Sequence, residues 1–229
     1  MPLRLKIDLH VHTSFSDGLG APVDILERAE ARGLDGLAIT DHNTLEGYFR
    51  AREVGGGLVL VPGYEVVTDS GHILVYGLEE LPPGVESIDY VDLVGWARGR
   101  GGLCVIAHPG IGSFHLCDWG SCVPDAVEVL NASYPLEFFV GRGLRLSERL
   151  EVPGVGGSDA HSIKVVGDAY TVVECEDSRV ENILDGIKKG SVEYEGGLSP
   201  VYSRFRLGLG YFKHLLIASV HKQPNVKLA

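Results

Sequence analysis

Leu5-Lys6-Ile7-Asp8-Leu9-His10-Val11 is followed, after a segment running Pro22–Arg32, by Gly36-Leu37-Ala38-Ile39-Thr40, and this passage decides the class of fold. Both flanking runs are short and apolar, as parallel strands buried on two faces should be. The segment between them has the pattern of an amphipathic helix, opening on Pro22 and closing at Gly33, the usual start and stop signals. Strand, helix and strand in that order make a parallel βαβ unit.

The same alternation continues outward. Further strands are expected at Leu58–Val61, His72–Tyr76, Leu103–Ala107, Ala126–Leu130, Gly154–Gly157 and Ala169–Glu174. Helices are expected at Leu45–Val54, Tyr90–Arg100, Pro135–Leu150 and Val180–Lys189, with a last one at Tyr211–His221 ending before Pro224. About seven or eight strands alternating with helices suggest an α/β barrel, and 229 residues suit a single domain. No internal repeat or linker interrupts the pattern.

Net charge is −11, so a broad electrostatic grip on nucleic acid is not expected. The charge is unevenly placed. All 31 acidic residues precede Gly196, and the tail beyond carries Arg204, Arg206, Lys213, Lys222 and Lys227. Residues 1–195 therefore read as the barrel domain. Residues 196–229 read as a basic C-terminal segment, either docked as a helix on the acidic body or touching an anionic substrate or partner. No signal-peptide pattern precedes the first strand, and no apolar run approaches the roughly 20 residues of a membrane span. A cytoplasmic location and no membrane contact are the expectation. The four cysteines form no Cys-x-x-Cys pair, and Cys104 sits in an apolar run as a reduced core residue. Cys117 and Cys122, with His115 and Asp118, match no standard zinc spacing and read as a reduced loop over the pocket.

His10 and His12 are two apart on a strand, with Asp8 preceding at the same spacing, so they face one side while Ile7, Leu9 and Val11 face the other. Two neighbouring buried imidazoles compete for few partners, and a divalent metal resolves this by taking a nitrogen from each. Taken alone, the pair could equally be two core histidines. It is not alone. Asp17 follows in the next loop, and Asp41-His42 comes directly after the strand at Gly36–Thr40. Glu65 follows the strand ending at Val61. His72 opens a strand, His108 closes one, and Asp159 and His161 follow Gly154–Gly157. In a barrel the loops after the strands gather at one face, so these residues converge as ligands for several metals.

The segments Asp8-Leu9-His10-Val11-His12-Thr13, Ile39-Thr40-Asp41-His42, Pro62-Gly63-Tyr64-Glu65, Ala107-His108-Pro109 and Gly157-Ser158-Asp159-Ala160-His161 resemble the motifs of the PHP (polymerase and histidinol phosphatase) family, in order, over residues 5–175. The resemblance implies a distorted (β/α)7 TIM-like barrel, two or three Mn, Fe or Zn ions, and phosphoester hydrolysis. Position by position it implies one ion on His10, His12, Glu65 and Asp159, and a second on Glu65, His72 and His108. A third would sit on Asp17, His42 and His161. Aspartate at position 17 looks like the TrpH or YciV-like branch of small phosphatases and nucleases. In some relatives the histidine equivalent to His72 touches phosphate instead. Only 35 residues separate His72 from His108, too few for the helical subdomain that many relatives insert there, so a more open site is expected.

The chemistry this implies is a water held between two metals, acidified toward hydroxide and placed in line with phosphorus. His10, His12, Glu65, His108, Asp159 and His161 would carry the catalysis. Ser158 lacks a nucleophile elbow and reads as a structural contact. Arg142 and Lys164, nearest the strand ends, are the better candidates among the basic residues for holding phosphate, with Asn131 and His72 lining the pocket. The expected partner is a small phosphorylated molecule or a nucleotide or oligonucleotide end. Histidinol phosphate phosphatase is the alternative within the class. A non-catalytic metal-binding subunit of an RNA-processing complex is the alternative outside it, disfavoured by the acidic charge. An amidohydrolase would want a carboxylated lysine or other histidine spacing.

Overall fold

The computed structural model describes residues 2–111 and 122–203. Nine strands, β1 (Leu3–Val11), β2 (Gly36–Ile39), β3 (Val59–Thr68), β4 (Gly71–Tyr76), β5 (Leu103–Ile106), β6 (Ala126–Asn131), β7 (Gly154–Gly157), β8 (Ala169–Cys175) and β9 (Val192–Gly196), form one sheet. Its order is β7-β6-β5-β4-β3-β2-β1-β8-β9. Five helices, α1 (Pro22–Ala31), α2 (Glu46–Val54), α3 (Tyr90–Arg98), α4 (Phe138–Leu150) and α5 (Val180–Lys188), fill the connections. Single 3-10 turns lie at Val85–Ser87 and Ile163–Val165.

The sheet curls into a nearly closed barrel. At its seam Val11, ending β1, bridges Ala160, just past β7, with His12 N donating to Ala160 O over 3.0 Å. Helix α1 shows why the helices coat this wall. Pro22, Ile25, Leu26 and Ala29 are its buried residues, one stripe at 3.6-residue periodicity. Ile25, Leu26 and Ala29 pack with Leu37, Ile39 and the apolar faces of α2 and α3 in the outer core. An inner core of Ile7, Leu9, Ala38, Val61, Leu74 and Val105 packs with Ile183 and Ile187 of α5. Leu184 of that helix lies beside Gly77, past the end of β4, so α5 stoppers the end opposite the histidines.

Three features differ from the sequence expectation. First, the sheet is not a uniform succession of parallel βα units. β4 runs antiparallel to β3 and β5, and β8 is antiparallel to β1 and β9. A tight turn at Asp69–Ser70 joins β3 to β4, leaving no room for a helix. Strand β3 itself runs through Pro62-Gly63-Tyr64-Glu65, so Glu65 lies within a strand rather than in a loop beyond one. Because β4 is reversed, its first residues sit at the end where the parallel strands finish, which brings His72 there. Second, β9 had no counterpart among the expected strands. Val192 and Tyr194 alternate with exposed Glu193 and Glu195 along an edge, a polar pattern that hides a strand from a search for apolar runs.

Third, β1 carries a bulge. Asp8 pairs with Leu37 but Val11 pairs with Ile39, so β1 spends one extra residue between them. The simple alternation therefore fails: Ile7 and Leu9 belong to the inner core, and Val11 to the outer one. Asp8 pins the bulge. Its Oδ1 accepts the amides of His10 (3.3 Å) and Ser158 (2.9 Å), and its Oδ2 accepts that of Gly167 (2.9 Å).

Beyond β9, Ser199 N donates to Ala132 O over 2.8 Å, carrying the chain back to the β6 end. The expected helix Tyr211–His221 and the basic residues from Arg204 onward lie outside the described residues, as do His115, Cys117 and Asp118. Cys104, Cys122 and Cys175 are unpaired thiols, and burial pushes that of Cys104 well up. No described helix is long and apolar enough to cross a membrane.

Candidate metal centre

The bulge turns the end of β1 so that His10 Nε2 and His12 Nε2 stand 3.1 Å apart. The loop after β1 then folds tightly back. Asp41, ending the β2 segment, accepts Thr13 N (2.7 Å), Thr13 Oγ1 (2.6 Å) and Ser16 Oγ (2.6 Å). Gly18 is required at this fold, since a Cβ there would lie 2.3 Å from the His12 carbonyl oxygen. Asp17 is thereby set against His161, with Oδ2 3.1 Å from Nε2.

Around the β1 histidines the donors form a compact set. Glu65 Oε2 is 3.2 Å from both Nε2 atoms, and Asp159 Oδ1 is 3.5 Å from that of His10 and 3.4 Å from that of His12. An ion with bonds near 2.0–2.1 Å has tetrahedral edges of about 3.3 Å. The other Glu65 oxygen faces a second group, 2.8 Å from His72 Nδ1 and 3.1 Å from His108 Nε2. A third group draws His12, Asp17, His42 and His161 together, their ligand atoms within 4.8 Å of one another.

The chemistry of these donors fits divalent ions. Among the described residues the ion-pair partners of Asp17, Glu65 and Asp159 are histidines rather than lysine or arginine. His12 Nδ1 and His42 Nδ1 are buried without a hydrogen-bond partner. Two Nε2 atoms in contact can share only one proton. Neutral imidazoles and carboxylates packed this way have their lone pairs turned toward common points, which is what a cation requires.

Electrostatics express the same demand. Burial opposes charge on Glu65 and Asp159, but His10 and its neighbours outweigh it and hold both carboxyls well below the ordinary value. Burial likewise opposes protonation of His10, yet Glu128, Asp159 and Glu65 raise it well above 6.5. Burial opposes protonation of His12 too, but its bonds to Asp159 and Glu65 outweigh this and raise it to about 10, whereas in His42 burial prevails and lowers it. Without ions the cluster holds protons in their place. In chelated protein the pairs of His12 stabilise the fold fully below its unfolded value of 6.5, and this is lost as pH rises through about 10. The melting temperature of chelated protein should therefore fall between about pH 7 and about pH 9.5. Ion binding needs the neutral ring, so affinity should rise over the same interval. Parallel melts with and without chelator check both signs.

Backbone strain gathers here too. His108 (φ 29°), Asp159 (φ 50°) and Asn43 (φ 55°), next to His42, lie in the left-handed region. Non-glycine residues there cost about 1–2 kcal/mol each and persist where surroundings hold them. Glu128 Oε2 accepts His108 N (2.7 Å), and Ser133 Oγ donates to Asp159 O (3.1 Å).

All nine residues expected as ligands thus meet at one end of the barrel. The residues expected at substrate lie differently. Arg142 is exposed on α4 and donates to Gly110 O (3.1 Å), two residues from His108. Lys164 is exposed on the turn after His161. Asn131 is fully buried, its amide donating to Glu128 (2.9 Å) and Asp159 (3.2 Å) and its oxygen accepting Ser133 N (2.8 Å). Its bonding groups are all taken within the protein. Ser158 Oγ donates to His10 O (3.2 Å), a structural bond. Glu128 and the fastening role of Asp41 were missed by the sequence reading. An acid inside the apolar run Ala126–Leu130 was the available signal for Glu128. Asp41→Asn should cost about 1.5–3 kcal/mol of stability through its charge-assisted bonds. It should also weaken ion uptake by the Asp17 group, as melts and an ion titration would read.

A nearly closed α/β barrel with a buried His/Asp/Glu cluster at one end defines a class of metal-binding barrel proteins. The sequence pattern of the PHP domain matches residues 8–82, and that of the PHP-associated region matches residues 141–192. An uncharacterized protein of Methanocaldococcus jannaschii is 31% identical over 119 residues, 46% of this chain and 68% of that one. The chain belongs to the PHP family. A phosphoribosyl 1,2-cyclic phosphate 1,2-diphosphodiesterase of Eggerthella lenta is 40% identical over 89 residues, 35% of this chain and 34% of that enzyme, so the match spans about a third of its length. A two-domain protein of Bacteroides vulgatus, containing a predicted PHP-like metal-dependent phosphoesterase, shares the fold. Its TM-score is 0.73 at 21% identity, over 86% of this chain and 66% of that one.

Proposed function

We propose that this chain is a metal-dependent phosphoesterase acting on phosphomonoesters or on nucleotide and oligonucleotide phosphoesters. The observation that carries the reading is Glu65. One carboxylate serves two donor groups, His10 and His12 through Oε2 and His72 and His108 through Oε1. That is the arrangement expected where two ions act on one bond. Bound there, divalent ions would supply Lewis acidity toward phosphoryl oxygens and acidify a water.

The chain's own groups do the rest. His10, His12 and Glu65 have side chains 0%, 0% and 1% exposed, while His42, His72 and His161 are 27%, 21% and 19% exposed. Substrate therefore meets the cluster from the His42–His72–His161 side. Asp17 orients His161 on that rim. Arg142, tied to the His108 loop through Gly110, and Lys164, beyond His161, are the cations proposed to meet phosphate.

Phosphate release by protein loaded with Mn²⁺ tests the reading. Mononucleotides, 3′,5′-bisphosphonucleotides, short oligonucleotides and histidinol phosphate form the panel, with His10→Ala as control. Release from the nucleotide substrates that disappears in the control is expected. Release from histidinol phosphate alone would move the assignment to that phosphatase. Equal silence of both proteins with ions bound would overturn catalysis and favour a metal-holding partner protein.

A further inference from the structure

We infer that Glu128 is a positioning residue that ties two candidate ion positions to one another, an inference resting on the metal-dependent reading above. Glu128 belongs to none of the candidate ligand groups and is 1% exposed inside β6. Its two oxygens are spent on different groups. Oε1 lies 3.0 Å from His10 Nδ1, while Oε2 accepts the His108 amide over 2.7 Å and the Asn131 side-chain amide over 2.9 Å.

Three consequences follow from the donors. A carboxylate only accepts, so His10 carries its proton on Nδ1 and turns a lone pair on Nε2 toward His12, Glu65 and Asp159. The bond to His108 N holds that residue's left-handed backbone, and so the imidazole facing the other Glu65 oxygen. Asn131 extends the tie to Asp159 Oδ2 over 3.2 Å, and its orientation is fixed because its own oxygen accepts Ser133 N. One buried carboxylate therefore sets a tautomer in the first group and a backbone in the second. Space for the pair is kept by Gly157, where a Cβ would lie 2.6 Å from His10 Cβ and 2.9 Å from Glu128 Oε1.

A carboxylate that merely filled a buried space could become its isosteric amide at little cost to the ions. Glu128→Gln cannot keep this arrangement. With its NH2 toward His10, the ring must accept at Nδ1 and place its proton on Nε2, inside the donor set. With its NH2 toward His108 N and Asn131, donors face donors.

Titration of wild type and E128Q with Zn²⁺ against a chromophoric chelator reads the affinities. Long-range ¹H–¹⁵N spectra of ¹⁵N-histidine protein read the His10 tautomer. The expected result is the Nδ1–H form of His10 in zinc-loaded wild type, and a drop of about 10–100-fold in affinity for ions in both groups of E128Q. Affinities within about threefold of wild type would overturn the inference, as would an Nε2–H His10 in the loaded wild type, a reading that holds even if E128Q does not fold. Wild type that takes up no ion would remove the metal reading and this inference with it. Ions bound normally without phosphate release would remove the phosphoesterase alone.

Discussion

Glu65→Gln is expected to lower phosphate release by at least about a thousandfold, since several kcal/mol of charge stabilisation would depend on the ions Glu65 is proposed to hold. The substitution keeps length and shape. It replaces two equivalent oxygens with one oxygen and one NH2, and the NH2 must face either His10 and His12 or His72 and His108. In either orientation one group loses its anionic member and gains a donor aimed at nitrogen lone pairs. Ion content should drop together with activity, while the circular dichroism of the folded barrel persists, because the main chain of β3 is unchanged. Metal analysis beside the phosphate assay decides it. A variant within about tenfold of wild type would sink the shared-carboxylate reading.

Asp8→Ala should produce the largest loss of stability. Asp8 is fully buried, and removing it leaves the amides of His10, Ser158 and Gly167 without acceptors. At about 1–3 kcal/mol for each buried unsatisfied group, the cost is at least roughly 3 kcal/mol. For a domain of this size that lowers the melting temperature by roughly 6–12 °C. Burial raises the Asp8 carboxyl to about 6 despite those donors, so the bonds operate against a desolvated site. Asp8→Asn keeps the volume but turns one acceptor into a donor, and should fall between wild type and alanine. A melt of Asp8→Ala within about 1 kcal/mol of wild type would show that the bulge holds without its pin.

The nine candidate ligands were legible because most sit at or just beyond a strand end and carry side chains rarely buried without a reason, while Glu65 proved to lie inside β3. Nearly continuous apolar runs placed seven strands within two residues at each end, while β3 runs seven residues past the expected Leu58–Val61. Periodicity failed where polarity follows another rule. The bulge in β1 leaves no mark in composition, since Asp8 fits both a regular alternation and a pinned kink, and only the bonds to Ser158 and Gly167 distinguish them. Reversal of β4 is equally silent, because His72–Tyr76 would be just as apolar in a parallel strand. Glu128 was passed over because one acid in an apolar run reads as noise until His10 is seen 3.0 Å away.

The reversed β4 also bears on how the site assembles. Glu65 and His72 are separated by seven positions and meet across one hairpin. His10 and Asp159 lie far apart in the sequence and meet only at the seam between β1 and β7. Hairpins form in microseconds, whereas contacts between distant segments must first overcome the entropy of closing a long loop. The centre is therefore half local and half global. If the centre holds ions, the hairpin pair is expected to form before the seam during refolding, and the seam ligands are expected to part first during unfolding. The order in which ions leave under denaturant would record the order in which the barrel comes apart.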